Sequence, residues 1–537
     1  MPLTIEQALG QKLMLSFTGK TPSAEILAAI RRQHIGGVTL FRARNADNPA
    51  QVRALTAALQ RAAAESGQPP LVIGADQEGG TLVAIGGTTP FPGNLALGAA
   101  GSPELSRRTG QAIGLELAAM GINVNYAPVC DVALNALNPV VGPRSFGEDP
   151  GLVAELSAAM VQGLQAAGVA ATPKHFPGHG DTAQDSHYGT PVLAYDEQRF
   201  NHVQMRPFRA AVAAGARLMM TAHVALPALT GGLELPATLS PAIIRGVLRH
   251  DLGFQGVVIT DALDMQAIRQ GSGLVIDAIA AAAAGVDLLL LASDSAETQA
   301  VYAGLVQATH RALLSAEDQF ASAERVLELK RWLSAQPQPA LDVVACNEHQ
   351  ALAREVAAQA LTLVRDDARL LPLRLPAQAR IAAIVPRPAD LTPADTSSYI
   401  QPALAAALRR HHAAVDEFLI PLNPSDADVR GLAEQVGTYD LVVAATINAT
   451  VYNGQAALVN ALLQAHRPVI VVALRMPNDL AAYPTAPTYL CSYSILDPAL
   501  EALAAALWGK QPCPGRLPVS IGGLYPLGHG LGPVPAS

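Results

Sequence analysis

Residues 256–264 read GVVITDALD, a β-rich run that ends in a carboxylate, Asp261. A side chain at the C-terminal end of a strand stands on rigid backbone, which a group that attacks a substrate needs. Six similar apolar runs flank it: IGGVTLF (35–41), LVIGADQ (71–77), INVNYAP (122–128), VAATPKHF (169–176), RLMMTAHV (217–224) and VDLLLLAS (286–293). Between them lie stretches with apolar residues at helical spacing, such as Glu104–Met120 and Glu155–Ala167. Strands alternating with helices predict parallel βαβ units. At least seven strand candidates over residues 1–335 predict an α/β fold whose N-terminal part is a (β/α)8 TIM-type barrel. A doubly wound open sheet is the structural alternative.

A shared habit of these runs favours the barrel. Asp76 follows LVIGA, Asp131 follows INVNYAPVC, Lys174 and His175 follow VAATP, His223 follows LMMTA, and Asp261 follows GVVIT. In a barrel all strand C-termini open on one face, where reactive side chains gather. Burying so many polar groups in a core without partners would be costly. Polar loops after strands explain one or two such residues, hardly five strands with the same habit.

A helix is predicted after a Ser315 cap, through AEDQFASAERVLELKRWL. The polar, Pro-rich run SAQPQPALD (334–342) follows it. The expected division is a catalytic barrel domain at 1–335, a linker at 336–342 and a C-terminal α/β layered sandwich at 343–537. The last part again alternates strands and helices, with LTLVRD, RIAAIVP, DLVVAATIN, RPVIVVALR and TYLCSYS as strands. The Ala-rich run Ala278–Ala284 reads as a buried helix.

Composition narrows the function classes. Of 537 residues, 50% are hydrophobic and 15% charged, which argues for a well-buried protein and against disorder. The net charge of −8 makes nucleic acid or an anionic membrane surface a poor partner. Cys130, Cys346, Cys491 and Cys513 form no CxxC pair and are expected as reduced thiols. The N-terminal MPLTIEQALGQKLMLSF has no basic leader with an apolar core, so a cytoplasmic location is expected.

The densest chemistry lies in KHFPGHGDTAQDSHYGTP (174–191). Its glycines and prolines make it a loop that can carry side chains over a strand end. His175 and His179 have the spacing of two helical metal ligands, but Pro177 and Gly178 break any helix, so neither metal nor cofactor is expected. Asp185 and His187 are two apart and point the same way from extended backbone. A carboxylate beside an imidazole fixes its tautomer and raises its basicity, which suits acid/base work. Asp76 and Glu78 in DQEGG, and Arg144 in GPRSFGEDP, are candidates for holding sugar hydroxyls. Arg144 has a structural alternative, a pair with Glu148 or Asp149. Asp264 is expected in the first turn of the next helix.

These motifs resemble glycoside hydrolase family 3, and most closely its bacterial β-N-acetylglucosaminidases. The likeness spans HIGGVTLF (34–41), ADQEGG (75–80), FPGNLALGA (91–99), NVNYAPVCDV (123–132), NPVVGPRSFGEDP (138–150), the 174–191 segment and VVITDALDM (257–265). RPVIVVALRMPNDL (467–480) and GRLPVSI (515–521) resemble the family's second domain. The resemblance implies a retaining exo-hydrolase of terminal β-N-acetylglucosamine, with Asp261 as nucleophile and His187 as acid/base assisted by Asp185. It implies that Asp76, Arg144, Lys174 and His175 hold the sugar, and His223 is placed with them as a strand-end candidate. The expected partner is a small carbohydrate, an N-acetylglucosaminide such as a muropeptide or chitin oligomer. One departure stands out: the family usually continues DQEGG with Arg, where this chain has Thr81. Phosphorolysis with phosphate as acceptor, β-glucosidase action and a non-catalytic sugar-binding protein are the rival readings.

Overall fold

In the computed structural model the chain is described from residue 3 to 532, apart from 184–188, 266–267, 269–272, 293–296 and 466. Eight short parallel strands dominate the first part: β1 (Leu13–Leu15), β2 (Gly37–Thr39), β3 (Val72–Ala75), β4 (Val124–Asn125), β5 (Ala170–Ala171), β6 (Leu218–Thr221), β7 (Val257–Thr260) and β8 (Leu289–Leu291). One ladder runs in the order β8-β1-β2-β3-β4-β5, and β6 pairs with β7. Single parallel bridges span the two gaps, Phe176 with Thr221 and Ile259 with Leu288. Seven of these strands lie within the runs read from the sequence. The eighth, β1, sits between β8 and β2 in register Leu13 with Leu289 and Met14 with Gly37.

Strand side chains alternate between two apolar clusters, as a period of two requires. Met14, Leu218, Met220, Val257, Ile259 and Leu290 point into one cluster, which Val326, Leu329 and Leu333 of a later helix also enter. Their neighbours Leu13, Leu15, Met219, Val258, Leu289 and Leu291 point into the other, against the surrounding helices. Each such side chain, fully buried, stabilises by roughly 1.5–3 kcal/mol. The helices come where apolar spacing places them: Pro103–Ala119, Pro150–Ala166, Leu274–Ala284 and Ala316–Ser334. Ser315 caps the last by accepting from Asp318 N at 3.2 Å. Asp264 departs from its expected place. It lies in a turn, not a helix, and its Oδ1 accepts from Ala292 N at 3.1 Å just beyond β8.

A second sheet follows a turn at Leu341–Val343. Its strands are β9 (Thr362–Asp366), β10 (Ile381–Pro386), β11 (Val415–Ile420), β12 (Leu441–Thr446), β13 (Val469–Ala473) and β14 (Thr488–Cys491). The order is β9-β14-β13-β12-β10-β11, with β9 antiparallel and the rest parallel. Apolar clusters cover both faces: Ala382 and Ile384 of β10 enter one, and Ile381, Ala383 and Val385 the other. The two parts are tied by Glu116, which is 2% exposed. Its carboxylate accepts from Thr89 N at 2.9 Å, Ala345 N at 3.0 Å and His349 Nδ1 at 2.8 Å. All four cysteines are free. No described helix is long and apolar enough to cross a membrane.

Candidate active site

A cavity of about 530 Å³ opens at the C-terminal ends of the first eight strands. Asp76 reaches it from the end of β3, Lys174 and His175 from just beyond β5, and Asp261 from the end of β7, with Arg144 beside them. Its charged floor is organised by Glu78. The Gln77–Gly79 and Leu82–Val83 strands form a small hairpin, whose turn needs left-handed backbone at Gly79 (φ 81°) and Gly80 (φ 61°). The hairpin turns the Glu78 side chain inward, 2% exposed, onto two cations. Arg144 Nε and Nη2 donate to its two oxygens at 2.9 and 2.8 Å. Lys174 Nζ donates to Glu78 at 2.6 Å and to Asp76 Oδ1 at 2.5 Å.

The electrostatics follow from this packing. Burial by itself would raise the Glu78 carboxyl, but Arg144 and Lys174 more than offset it and hold it at about 2. Burial would likewise lower the two cations, yet the carboxylates of Glu78 and Asp76 raise both. The fork of Arg144 is therefore aimed by Glu78, not by Glu148 or Asp149. Glu148 accepts from Ser520 Oγ at 2.9 Å, and Asp149 caps the helix Pro150–Ala166 through Leu152 N.

Asp131 is a second hub. It is fully buried. Its Oδ2 accepts from His175 Nδ1 at 2.7 Å, and its Oδ1 accepts from His179 N at 2.7 Å. Burial alone would raise its carboxyl, but His175 and His179 hold it low. This fixes the ring of His175 at the cavity wall. Burial also depresses His179 to about 4, so its ring stays neutral, with Nδ1 on Thr182 Oγ1 at 2.7 Å. Sequence reading placed Asp131 only at a strand end. Its partner His175 is 44 positions away, and no local pattern signals that pairing.

Asp261 caps β7. Its backbone N donates to Thr221 O at 3.1 Å, which keeps it in line with β6. Its Oδ1 accepts from Ala262 N at 2.8 Å. His223, just beyond β6, is 1% exposed. Its Nε2 donates to Ala262 O at 3.0 Å and its Nδ1 pairs with Thr238 Oγ1 at 2.9 Å. His223 thus holds the backbone that carries Asp261. Asp185 and His187 lie outside the described residues. The residues on either side of them are anchored: Asn138 Nδ2 donates to His179 O at 2.8 Å and Thr182 O at 3.1 Å, and Tyr195 donates its hydroxyl to Asp181.

Another part of the wall comes from the second part of the chain. The segment after β10 brings Asp390, Asp395, Thr396 and Tyr399 to the cavity. Thr396 docks it on the hairpin: its N donates to Thr81 O at 2.8 Å, and its Oγ1 accepts from Val83 N at 3.0 Å. A buried ion pair, Arg475 Nη1 to Asp395 Oδ2 at 2.8 Å, stiffens the segment from behind.

Comparison with known proteins agrees with this architecture. Residues 4–329 match the family model described as glycosyl hydrolase family 3 N terminal domain. The chain is 34% identical over 592 residues to a Beta-hexosaminidase A of Pseudoalteromonas piscicida, with 97% of this chain and 98% of that one covered. It is 30% identical over 552 residues to a Beta-N-acetylglucosaminidase/beta-glucosidase of Cellulomonas fimi, with 96% and 93% covered. The solved structure of a glycoside hydrolase family 3 beta-N-acetylglucosaminidase from Paenibacillus sp. str. FPU-7 superposes with a TM-score of 0.92 at 37% identity, over 97% of this chain and 99% of that one. With a family model matched over more than half its length and a relative aligned from end to end, the chain belongs to glycosyl hydrolase family 3.

Proposed function

We propose that this protein is a β-N-acetylhexosaminidase that releases a terminal non-reducing β-N-acetylglucosamine with retention of configuration. The observation that carries the reading is a single cavity holding Asp261 beside the Asp76–Lys174–Glu78–Arg144 cluster. Fixed charged donors and acceptors suit the forked hydroxyls of a sugar ring. The relatives named β-hexosaminidase and β-N-acetylglucosaminidase support the choice of sugar.

In the proposed reaction Asp76, Arg144, Lys174 and His175 hold the sugar. Asp261 attacks the anomeric carbon as the bond to the leaving oxygen breaks, and His187 gives that oxygen its proton. Water then attacks the anomeric carbon of the glycosyl ester, His187 takes the water's proton, and Asp261 leaves as carboxylate. Two inversions give net retention. An imidazole with an unperturbed pKa near 6.5 transfers protons in both directions near neutrality, and Asp185 is its proposed partner. His223 is proposed to act indirectly, through the backbone at Ala262.

We read the architecture as an N-terminal (β/α)8 barrel over 1–335, a connector at 336–342 and a layered α/β domain over 343–537. The two single bridges and the inner cluster of alternate strand residues support the barrel. Buried clusters on both faces of the second sheet support the layered domain. A side-by-side assay of an aryl β-N-acetylglucosaminide and an aryl β-glucoside tests the function. The dual name of the Cellulomonas fimi relative makes the glucoside the informative competitor. A strong preference for the glucoside would refute the proposed substrate.

A further inference from the structure

A second cavity, of about 570 Å³, lies at the N-terminal ends of β3, β4 and β5. Its wall takes in Leu71, Asn123 and Gly168, which come just before those three strands. The helix Pro49–Glu65 forms one side and presents Arg61. The end of the helix Ala316–Ser334 and the connector after it form another, with Lys330 and Gln338. This cavity shares no lining residue with the one at the strand ends.

Lys330 is only 2% exposed. An ammonium carries three N–H donors, and this one makes a single described hydrogen bond, to Gln11 Oε1 at 2.6 Å. No carboxylate among the described residues pairs with it, and burial lowers it to about 7. Lys12 shows the usual arrangement for a buried lysine. It donates to Val286 O at 2.7 Å and Ser322 Oγ at 2.5 Å, and the Asp287 carboxylate offsets part of the effect of burial. Burying a cation without a counter-charge is costly, and an anion beside Lys330 would restore its charged form. Two further donors line the same cavity. Arg61 is exposed, and its guanidinium makes no described hydrogen bond or ion pair. Gln338 Nε2 reaches Ala119 O only at 3.5 Å. No carboxylate stands among the described lining residues, and Leu71, Ile122 and Leu333 supply apolar surface.

We infer that this cavity binds a small organic anion, a carboxylate or phosphate group on an apolar body, with Lys330 and Arg61 as its cationic partners. Hydrogen bonds from ammonium and guanidinium groups to an anionic oxygen are about twice as strong as neutral ones. Shielding by the cavity wall strengthens the attraction relative to bulk water. The volume lies within the range of about 300–1,000 Å³ common to small-molecule sites. A bare ion would leave most of it unfilled, whereas an apolar body would cover the leucine and isoleucine surface.

The test is a ligand-observed NMR titration of the intact protein with benzoate, phenyl phosphate, inorganic phosphate and the neutral benzyl alcohol. One of the two organic anions should bind saturably, about tenfold or more tighter than the alcohol. Preference for benzoate assigns a carboxylate, and preference for phenyl phosphate assigns a phosphate ester. Saturable binding of neither overturns the inference. Benzyl alcohol binding as tightly would show an apolar pocket only, and inorganic phosphate binding as tightly would show a simple ion site; either result overturns it. Lys330→Met, close in size, should weaken the organic anion about tenfold or more, and Arg61→Gln about threefold or more. Binding unchanged in either variant places the anion elsewhere and overturns the inference. Should Lys330→Met fail to fold, Arg61→Gln decides alone, because its side chain is exposed.

Discussion

Asp261 is held on strand β6 by its backbone N, which donates to Thr221 O; removing its carboxylate gives up the bond from Ala262 N to Oδ1 but keeps that strand contact, so the frame should persist. Asp261→Ala should cut turnover of an aryl N-acetylglucosaminide by at least about 10³-fold, with an unchanged circular dichroism spectrum. Near-normal turnover would refute its role as nucleophile. His187→Ala should slow a poor leaving group far more than a good one, because a good one needs little protonation. Equal slowing on a series of aryl leaving groups would count against the acid role. Glu78 gives a pH prediction. Its folded pKa of about 2 lies below the ordinary 4.5, because Arg144 and Lys174 outweigh the effect of burial. A depressed carboxyl contributes stability that is complete above 4.5 and is lost as pH falls toward 2. Glu78→Gln should therefore be less stable at pH 7, yet show a flatter loss of Tm from pH 5 to 2.5 than wild type. Parallel acid profiles would show that Glu78 is not the group responsible.

At the scale of elements, the segment after β10 depends on Arg475. The Arg475 and Asp395 side chains are only 7% and 2% exposed. Arg475→Met leaves Asp395 charged, buried and short of its cation, which costs about 3–5 kcal/mol. Urea unfolding at pH 7 measures this directly. A loss below about 1 kcal/mol would mean that the segment relaxes and exposes Asp395 to water. Asp395→Asn in the same background should recover part of the loss, because the uncompensated charge is gone. The hairpin dock at Thr81 makes the same segment a wall of the cavity, so its geometry bears on binding as well as on stability.

At the scale of the molecule, Glu116 joins the helices around the first sheet to the chain leading into the second. Thr89, Ala345 and His349 converge on this one carboxylate. Glu116→Ala strands several buried donors at once, each at about 1–3 kcal/mol. The expected loss is at least 3 kcal/mol by these magnitudes, read as a fall in the urea midpoint. A variant as stable as wild type would show that the Glu116 carboxylate is not needed to hold the two parts together.

Local properties were legible in the sequence. The runs VVIT and LMMT became strands because β-branched and bulky apolar side chains suit a pleated, covered surface. The helix after Ser315 was marked by its own cap. Strand β1 was missed because three residues, LML, are too few to show a period. Strand β11, VDEFLI, was missed because it is an edge strand, and exposed acidic residues interrupt its apolar pattern. Side-chain shape and near-neighbour spacing along the chain were enough to say which residues stand at strand ends. Their partners emerged with the folded arrangement: Glu78 for Arg144 across 66 positions, Asp131 for His175 across 44, and Thr396 for Thr81 across 315. Such pairings follow from how strands and loops stack in space, and nothing in the intervening chain encodes them locally.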